Sequence, residues 1–267
     1  MKVLTIGDRS LCYRDQGSGP AILWVHAFPL SGGMWNDQLA MEGIRHIVPD
    51  LPGFGESDPF PAEIEPSISA YAEDLINLLD HLDLESATLA GCSMGGYIVL
   101  ELLRSAPARV AAAILSSTRE TDDTPGARNA RAEQIEKIES SGSLAALIDA
   151  MLPKLVTPEA LNHDPIRQRL EAMMKGSSVP GVVFALGAMA RRRDNADALR
   201  DLSRPVLILA GERDQLIPVE DAERMARIAL SARLEIIASA GHLPAIEKAA
   251  EFNDSISNFI QETFLEG

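Results

Sequence analysis

The segment LAGCSMGGYIVL, residues 89–100, places Ser93 between glycines where an apolar strand-like run meets a helix-like run. Gly91, Ser93 and Gly95 fill the pattern Gly-x-Ser-x-Gly, which in a strand-turn-helix context is typical of a nucleophile elbow. We expect so tight a turn to hold Ser93 at positive φ at the start of a helix, where the helix dipole favours developing negative charge. Alone, the pattern also fits a glycine-rich turn with an incidental serine.

A serine hydroxyl barely ionises at neutral pH, so it needs a general base, and the base needs a group that orients it. His242 lies in SAGHLPAIE, between the last strand-like run and the last helix-like run. Asp214 lies in LILAGERDQLIP and directly follows the preceding strand, although an aspartate there is often a turn former or helix cap. The order Ser93, Asp214, His242 along the chain is the one expected for a parallel α/β sheet that carries such an elbow. Three other histidines fit ordinary structural or exposed positions: His46, His81 and His163.

Some enzymes with a parallel α/β sheet and such an elbow take the acid from the loop after an earlier strand, which here is the run at 109–115. Residues 116–118 of this chain, which occupy that loop, are Ser, Ser and Thr, and the first carboxylate after them is Glu120. The sequence therefore favours Asp214 as the acid.

Attack on an ester carbonyl creates an oxyanion, which two preorganised backbone N–H groups would stabilise. We expect one from Met94, the residue after the nucleophile, and the other from Phe28 in the loop HAFPLSGGMW. His26 in that loop is predicted to fix its shape rather than to transfer protons. A cis Phe28-Pro29 bond is predicted as a further local constraint.

Short β-type runs alternate with helical periodicity along the chain, which predicts an α/β fold with a mostly parallel sheet covered on both faces. The runs are AILWV (21–25), HIVPD (46–50), ATLAG (87–91), RVAAAIL (109–115), PVLILAG (205–211) and RLEII (233–237). The first residues, KVLTI and SLCYRD, predict an antiparallel edge hairpin. Ser67 is predicted to cap a helix with a buried apolar stripe, and a similar stripe predicts a final helix around Phe252 and Ile256.

The stretch from residue 118 to residue 204 is much longer than one crossover helix requires. Several helical segments in it predict an inserted helical cap over residues 119–193, with residues 1–118 and 194–267 forming the core. Five residues are expected to break these helices: Pro153, Pro158, Pro165, Gly176 and Pro180. Apolar cap residues could line a pocket or pack against the sheet, and we expect most to pack: Met173, Met174, Val183, Phe184 and Met189.

Composition narrows the class of protein. The chain has 267 residues, 46% of them hydrophobic, and a formal net charge of −15, which opposes binding to nucleic acid or to anionic membranes. Two cysteines are too few for a disulfide framework and, with no signal-peptide or membrane-spanning run, predict a cytoplasmic protein. The oligomeric state is left open, since an apolar cap face could meet another subunit as easily as its own sheet.

The remaining conspicuous residues are interpreted structurally. Cys92 is expected to point away from the nucleophile and pack, and Trp24 and Trp35 to be core aromatics. The basic run at 191–193 is expected to be a solvated helix end, with attraction of an anionic substrate as the alternative. No spacing of His, Cys, Asp and Glu indicates a metal site, and no cofactor is implied.

Five segments together carry a resemblance that extends over nearly the full length of the chain: HAFPLSGGMW, VPDLPGFGESD, GCSMGGY, LAGERDQLIP and AGHLPAIE. With these segments the chain resembles capped α/β-hydrolases, the group with small-ester carboxylesterases, 3-oxoadipate enol-lactonases and cofactor-free haloperoxidases that also act as perhydrolases. The resemblance implies the α/β-hydrolase fold and a Ser93, His242 and Asp214 triad.

These observations favour a serine hydrolase that cleaves small carboxylic esters or lactones through an acyl-enzyme. Enol-lactonase-like or perhydrolase activity on the same triad is the alternative within this class. A ligand-binding protein that retains an unused triad is the alternative from another class.

Overall fold

The computed structural model describes residues 1–264, and an eight-stranded sheet runs through its centre. The strands are β1 (Lys2–Ile6), β2 (Arg9–Gly17), β3 (Ala21–Val25), β4 (Arg45–Pro49), β5 (Ala87–Cys92), β6 (Val110–Ser116), β7 (Val206–Gly211) and β8 (Ala232–Ile237). Their spatial order is β1-β2-β4-β3-β5-β6-β7-β8. β1 and β2 pair antiparallel and β2 pairs antiparallel with β4, whereas all later pairs are parallel. The predicted edge hairpin and the mostly parallel sheet are confirmed.

Helices connect these strands. In chain order they are α1 (Ile68–His81), α2 (Met94–Ser105), α3 (Pro125–Ser141), α4 (Ala145–Leu155), α5 (Pro158–Leu161), α6 (Asp164–Lys175), α7 (Val179–Ala190), α8 (Ala196–Arg200), α9 (Val219–Ile228), α10 (Pro244–Glu247) and α11 (Ala249–Phe264). The Ser67 hydroxyl caps α1 by accepting a hydrogen bond from the Ala70 N–H at 3.1 Å, as predicted. The predicted stripe of the last helix is buried on α11: Phe252, Ile256, Phe259 and Ile260.

Two apolar cores lie on the two faces of the sheet, because successive strand residues point to opposite faces. On β3, Leu23 and Val25 face one core, and Ile22 and Trp24 face the other. Helices α1, α2 and α9 bury their apolar stripes in the first core, and α11 buries its stripe in the second. Both faces are therefore covered, as the near-continuous apolar strand sequences predict.

Helices α3 to α7 occupy the region predicted as the cap, between β6 and β7. The prediction that Pro153 breaks a helix is wrong, since Pro153 lies inside α4. Pro153 and Asp149, whose carbonyl loses its helical partner, are both exposed, so water can replace the missing hydrogen bond. Pro158, Pro165 and Pro180 instead occupy first turns of helices, where proline costs no hydrogen bond.

The boundaries of the cap and core stay a prediction, and residues 265–267 of the predicted core lie outside the described residues. Within residues 1–264, no single helix combines the length and the apolar character needed to cross a membrane. Only α6 and α7 taken together, bent by 92° at their junction, reach that length and composition.

The sheet defines where a site can form. β3 lies between β4 and β5, so the chain leaves β3 toward one side and later returns to its other side. Ligands of open parallel sheets bind outside the carboxyl ends of the strands at such a switch point. The loops after β3, β5, β7 and β8 all open at this edge, and they carry Phe28, Ser93, Asp214 and His242.

Candidate active site

Ser93 occupies a strained turn between β5 and α2. Its backbone has φ 53° and ψ −113°, outside the regions that side-chain-bearing residues normally adopt. A Cβ on Gly91 would overlap the Gly95 carbonyl, and a Cβ on Gly95 would overlap the Val25 carbonyl. The chain can therefore pass this point only with glycine at both positions. The predicted tight turn with positive φ at Ser93 is confirmed.

The neighbouring strand β6 anchors this turn. The Ser93 N–H donates to the Ser116 carbonyl at 2.9 Å, and the Thr118 hydroxyl donates to the Ser93 carbonyl at 2.9 Å. The Tyr97 N–H donates to the same carbonyl at 3.2 Å. Because the backbone groups of Ser93 are all engaged, its position is fixed relative to the sheet.

His242 and Asp214 form a buried pair. His242 Nδ1 lies 2.8 Å from Asp214 Oδ2, and each side chain is only 1% exposed. The other carboxylate oxygen, Oδ1, accepts hydrogen bonds from the Leu216 N–H at 2.8 Å and the Ile217 N–H at 3.0 Å. Because a carboxylate oxygen accepts, Nδ1 is the ring nitrogen that donates to Asp214, and Nε2 is the one left for another partner.

Parallel pairing of β7 with β8 brings these two loops together. The Arg213 N–H donates to the Ala240 carbonyl at 2.8 Å, which joins the loop of Asp214 to that of His242. A Cβ on Gly211 would overlap the Gly241 carbonyl, so the two loops approach closely only because residue 211 is glycine. Backbone contacts between the two loops thus account for the predicted pairing of Asp214 with His242.

Glu247 also holds the His242 loop, and sequence reasoning did not single it out. Its Oε1 accepts from the Gly241 N–H at 2.8 Å. Its Oε2 accepts from the Thr157 N–H at 2.8 Å and the Thr157 hydroxyl at 2.7 Å, at the start of α5. Glu247 stands close to His242 in the sequence, but nothing in the sequence indicates its partner 90 residues away.

Ser93 and His242 line one cavity of about 320 Å³, which we call the Ser93 cavity, and Phe28 lines it as well. Asp214 is not among the lining residues. A larger crevice of about 630 Å³ lies elsewhere, beside Leu103 and Arg104 at the far end of α2. That crevice is remote from the elbow, since α2 begins at the residue after Ser93.

The two predicted oxyanion donors, Phe28 and Met94, flank this cavity in different ways. Phe28 lines it, whereas Met94 is fully buried and follows Ser93 as the first residue of α2. Within residues 1–264, no hydrogen bond uses either backbone N–H as donor. The Phe28-Pro29 peptide bond is cis, as predicted. The oxyanion role of both amides stays a prediction.

His26 fixes the shape of the loop that carries Phe28, as predicted. Its Nδ1–H donates to the Ala27 carbonyl at 3.0 Å, and its Nε2 accepts from the Leu51 N–H at 2.9 Å. The ring is fully buried and packs edge-on against Phe54. Burial lowers the pKa of His26, which keeps the ring neutral and able to accept from Leu51.

Three other interpretations from the sequence can be checked here. Cys92 is fully buried, and burial raises the pKa of its thiol, so it packs and is not a nucleophile. Trp24 and Trp35 are core residues, as predicted. Glu120 accepts from Arg224 at 2.6 Å and does not pair with His242. Within the described residues, no cluster of His, Cys, Asp and Glu could hold a metal ion.

The expectation of a fully solvated basic run at 191–193 is wrong at one position. Arg192 is buried, lines the Ser93 cavity and lies over the Tyr97 ring at 4.1 Å, while Arg191 and Arg193 are exposed. The buried carboxylate of Asp123 accounts for this burial, because it pairs with Arg192 at 2.5 Å. Of the five apolar cap residues, Met189 lines the cavity and the others do not, so most of them pack, as expected.

Replacement of Gly95 tests the close approach at the elbow. We expect Gly95→Ala to lower the free energy of unfolding by about 3 kcal/mol or more, because its Cβ overlaps the Val25 carbonyl. Gly126→Ala on α3 is the matched control, since its Cβ meets no atom closer than 4.0 Å and alanine stiffens the unfolded chain. Urea unfolding measures both, and equal stability of the two variants would contradict the steric argument.

The pH dependence of stability tests the neutral state of His26. Its folded pKa is lowered, so below the ordinary value of about 6.5 the unfolded chain binds more protons than the folded one, and stability falls as pH falls. We expect the free energy of unfolding, measured at pH 7.5, 6.5 and 5.5, to fall less steeply in His26→Gln than in the unchanged chain. His163→Gln at an exposed position is the control. Parallel curves for His26→Gln and the unchanged chain would refute the assignment.

Known proteins of similar structure include an esterase and a bromoperoxidase. The family described as alpha/beta hydrolase fold matches residues 20–249. A thermophilic esterase from Thermogutta terrifontis, solved with malate bound, is 33% identical with a TM-score of 0.93, covering 98% of this chain and 99% of that one. A bromoperoxidase from Bacillus anthracis, 23% identical with a TM-score of 0.81 over 95% of this chain and 96% of that one, shows the fold alone.

A relative by sequence is 3-oxoadipate enol-lactonase 1 of Acinetobacter baylyi, 28% identical over 247 residues that make up 91% of this chain and 90% of that protein. Esterase and lactonase relatives, together with the family match, support a hydrolytic enzyme. The family match spans most of the chain and includes the elbow, the loop of Asp214 and the loop of His242. The chain therefore belongs to the α/β-hydrolase fold family.

Proposed function

We propose that this chain is a carboxylic ester hydrolase of the carboxylesterase or lactonase type, with Ser93 as nucleophile, His242 as general base and Asp214 as its orienting acid. One observation carries the proposal. The imidazole of His242 is held by Asp214 at 2.8 Å, and it lines the same cavity as a serine on a strained, glycine-bounded turn.

In the proposed reaction, Ser93 Oγ attacks the carbonyl carbon of the ester while His242 Nε2 takes its proton. The oxyanion that forms accepts hydrogen bonds from the Phe28 and Met94 N–H groups, each contributing about 2.7 to 4 kcal/mol. When the C–O bond to the alcohol breaks, the imidazolium of His242 returns the proton to the leaving oxygen. Water then attacks the acyl-enzyme by the same steps and releases the acid and free Ser93.

Asp214 supports this cycle without exchanging protons itself. Its carboxylate accepts hydrogen bonds from the His242 ring and from two backbone N–H groups, which fix its orientation. An ionised carboxylate beside Nδ1 stabilises the imidazolium that forms during attack and fixes the ring orientation.

Enol-lactone hydrolysis and perhydrolysis would use the same residues, and a ligand-binding protein would keep the geometry without turnover. The arrangement favours catalysis over binding alone, because a buried His–Asp pair and an open serine serve proton transfer and not mere packing. Release of product in more than stoichiometric amount separates the enzyme from the binding protein.

Substitution of Ser93 tests the nucleophile. We expect Ser93→Ala to lower kcat for 4-nitrophenyl acetate by about 10⁴-fold or more and to abolish labelling by a fluorophosphonate probe. Ser105→Ala, at the other end of α2, is the matched control and should retain both. Thermal unfolding checks that both variants fold, and a folded Ser93→Ala protein with undiminished turnover would refute the assignment.

The volume of the Ser93 cavity predicts a preference for short acyl chains. About 320 Å³ is at the small end of ligand pockets, which span about 300 to 1,000 Å³. We expect kcat/KM for 4-nitrophenyl acetate or butyrate to exceed that for the laurate by about tenfold or more, since further methylenes no longer gain burial. Met151→Ala removes a lining side chain and should shift the optimum toward longer chains. An optimum at laurate in the unchanged chain would contradict the prediction.

A further inference from the structure

The Ser93 cavity is lined by more basic than acidic side chains. Its basic residues are Arg119, Arg131, Lys154 and Arg192, and its one acidic residue is Asp123. The whole chain has the opposite balance, with 39 acidic against 24 basic residues and a net charge of −15. A positive lining is therefore a local feature of this cavity and does not follow from composition.

Asp123 neutralises only part of this charge. Its carboxylate pairs with Arg131 at 2.6 Å and with Arg192 at 2.5 Å, so two cations share one anion. Burial alone would raise the pKa of Asp123, but the two arginines outweigh it and hold this pKa below its usual value. Asp123 is thus ionised at neutral pH, and the three groups together keep one positive charge.

Lys154 adds to this excess, whereas Arg119 does not. Arg119 lies 3.2 Å from Asp221. Arg224 pairs with both Asp221 and Glu120, so these two cations are balanced by two carboxylates. Lys154 on α4 is exposed and forms no ion pair within residues 1–264. Of the four cations around the cavity, Lys154 is the one that no carboxylate of residues 1–264 pairs with.

Cations gathered around a partly enclosed cavity repel one another, and a bound anion relieves that repulsion. We propose that the Ser93 cavity takes esters that carry a separate carboxylate, such as monoesters of small dicarboxylic acids, with the carboxylate held by Lys154 and the Arg131, Arg192 and Asp123 network. The proposal rests on the proposed function for its ester part. Its carboxylate part rests on the charged lining alone.

Two esters of the same shape and different charge test the preference. Methyl hydrogen glutarate carries a carboxylate where methyl glutaramate carries a neutral amide. We expect kcat/KM for the charged ester, measured by titration of released acid, to exceed that for the amide by about tenfold at low salt. The ratio should fall toward unity in about 1 M NaCl, because salt screens partly exposed charges. A ratio of one or less at low salt would overturn the proposal.

Two lysine variants separate the local effect from overall charge. Lys154→Gln should lower the ratio of the two kcat/KM values by about threefold, as expected for one exposed charge pair. Lys137→Gln on α3 makes the same change in net charge at an exposed position outside the cavity lining, and should leave both the ratio and the activity unchanged. Equal ratios in both variants would overturn the role of Lys154.

Binding measured without turnover distinguishes failure of this proposal from failure of the proposed function. Glutarate should bind the Ser93→Ala protein in calorimetry, and its neutral analogue pentanediamide should bind at least about tenfold more weakly. Glutarate binding in a chain that hydrolyses neither ester would refute the proposed function and keep the anion site. Hydrolysis of both esters without glutarate binding or charge preference would refute the anion site and keep the proposed function.

Discussion

The close approach of the β5–α2 turn to the end of β3 is the constraint on which the site depends. Backbone atoms of residues 91 and 95 lie so near neighbouring carbonyls that any side chain there would overlap them. Ser93 lies within this turn at positive φ, directly before α2. The turn and the loop that carries Phe28 begin at the adjacent parallel strands β5 and β3. The turn thus sets where the proposed nucleophile lies relative to these strands.

The structure divides its tasks between two parts of the chain. Strand ends supply the groups proposed for chemistry, and hydrogen bonds between neighbouring loops fix their geometry. Residues 119–193, the predicted cap, supply the arginine, lysine and aspartate side chains of the lining, with Arg131 on α3 and Lys154 on α4. Cap helices could therefore change which substrate fits without altering the position of Ser93 or His242. Such a separation suits a fold that supports many reactions on one scaffold.

Much of the fold could be predicted from the sequence, because its signals are local. Apolar runs predicted β3 to β8 with every boundary within one residue of the one observed. The Gly-x-Ser-x-Gly pattern predicted the elbow because glycine is needed where backbone segments approach each other too closely for a side chain. Pro153 was assigned wrongly because its effect on a helix depends on solvent exposure, which a sequence does not state.

The charged lining of the cavity could not be predicted in this way. Arg192 follows a helix and stands between two other arginines, so in sequence it looks like a solvated helix end. Only the three-dimensional structure brings Asp123, from before α3, against it. Arg131 and Lys154 occupy polar positions of cap helices, where a charge facing a cavity and a charge facing water have the same pattern. The catalytic roles of Ser93, Asp214, His242, Phe28 and Met94 and the cap boundaries stay predictions.

The triple acceptor role of Glu247 gives the molecule a mechanical property. One oxygen of its carboxylate accepts a hydrogen bond from the backbone beside the imidazole, and the other oxygen accepts two at the start of α5. Any outward movement of α5 must either break two hydrogen bonds or pull on the segment that carries His242. Opening of this side of the cap with these hydrogen bonds intact would therefore displace the loop of His242, the proposed general base, together with α5.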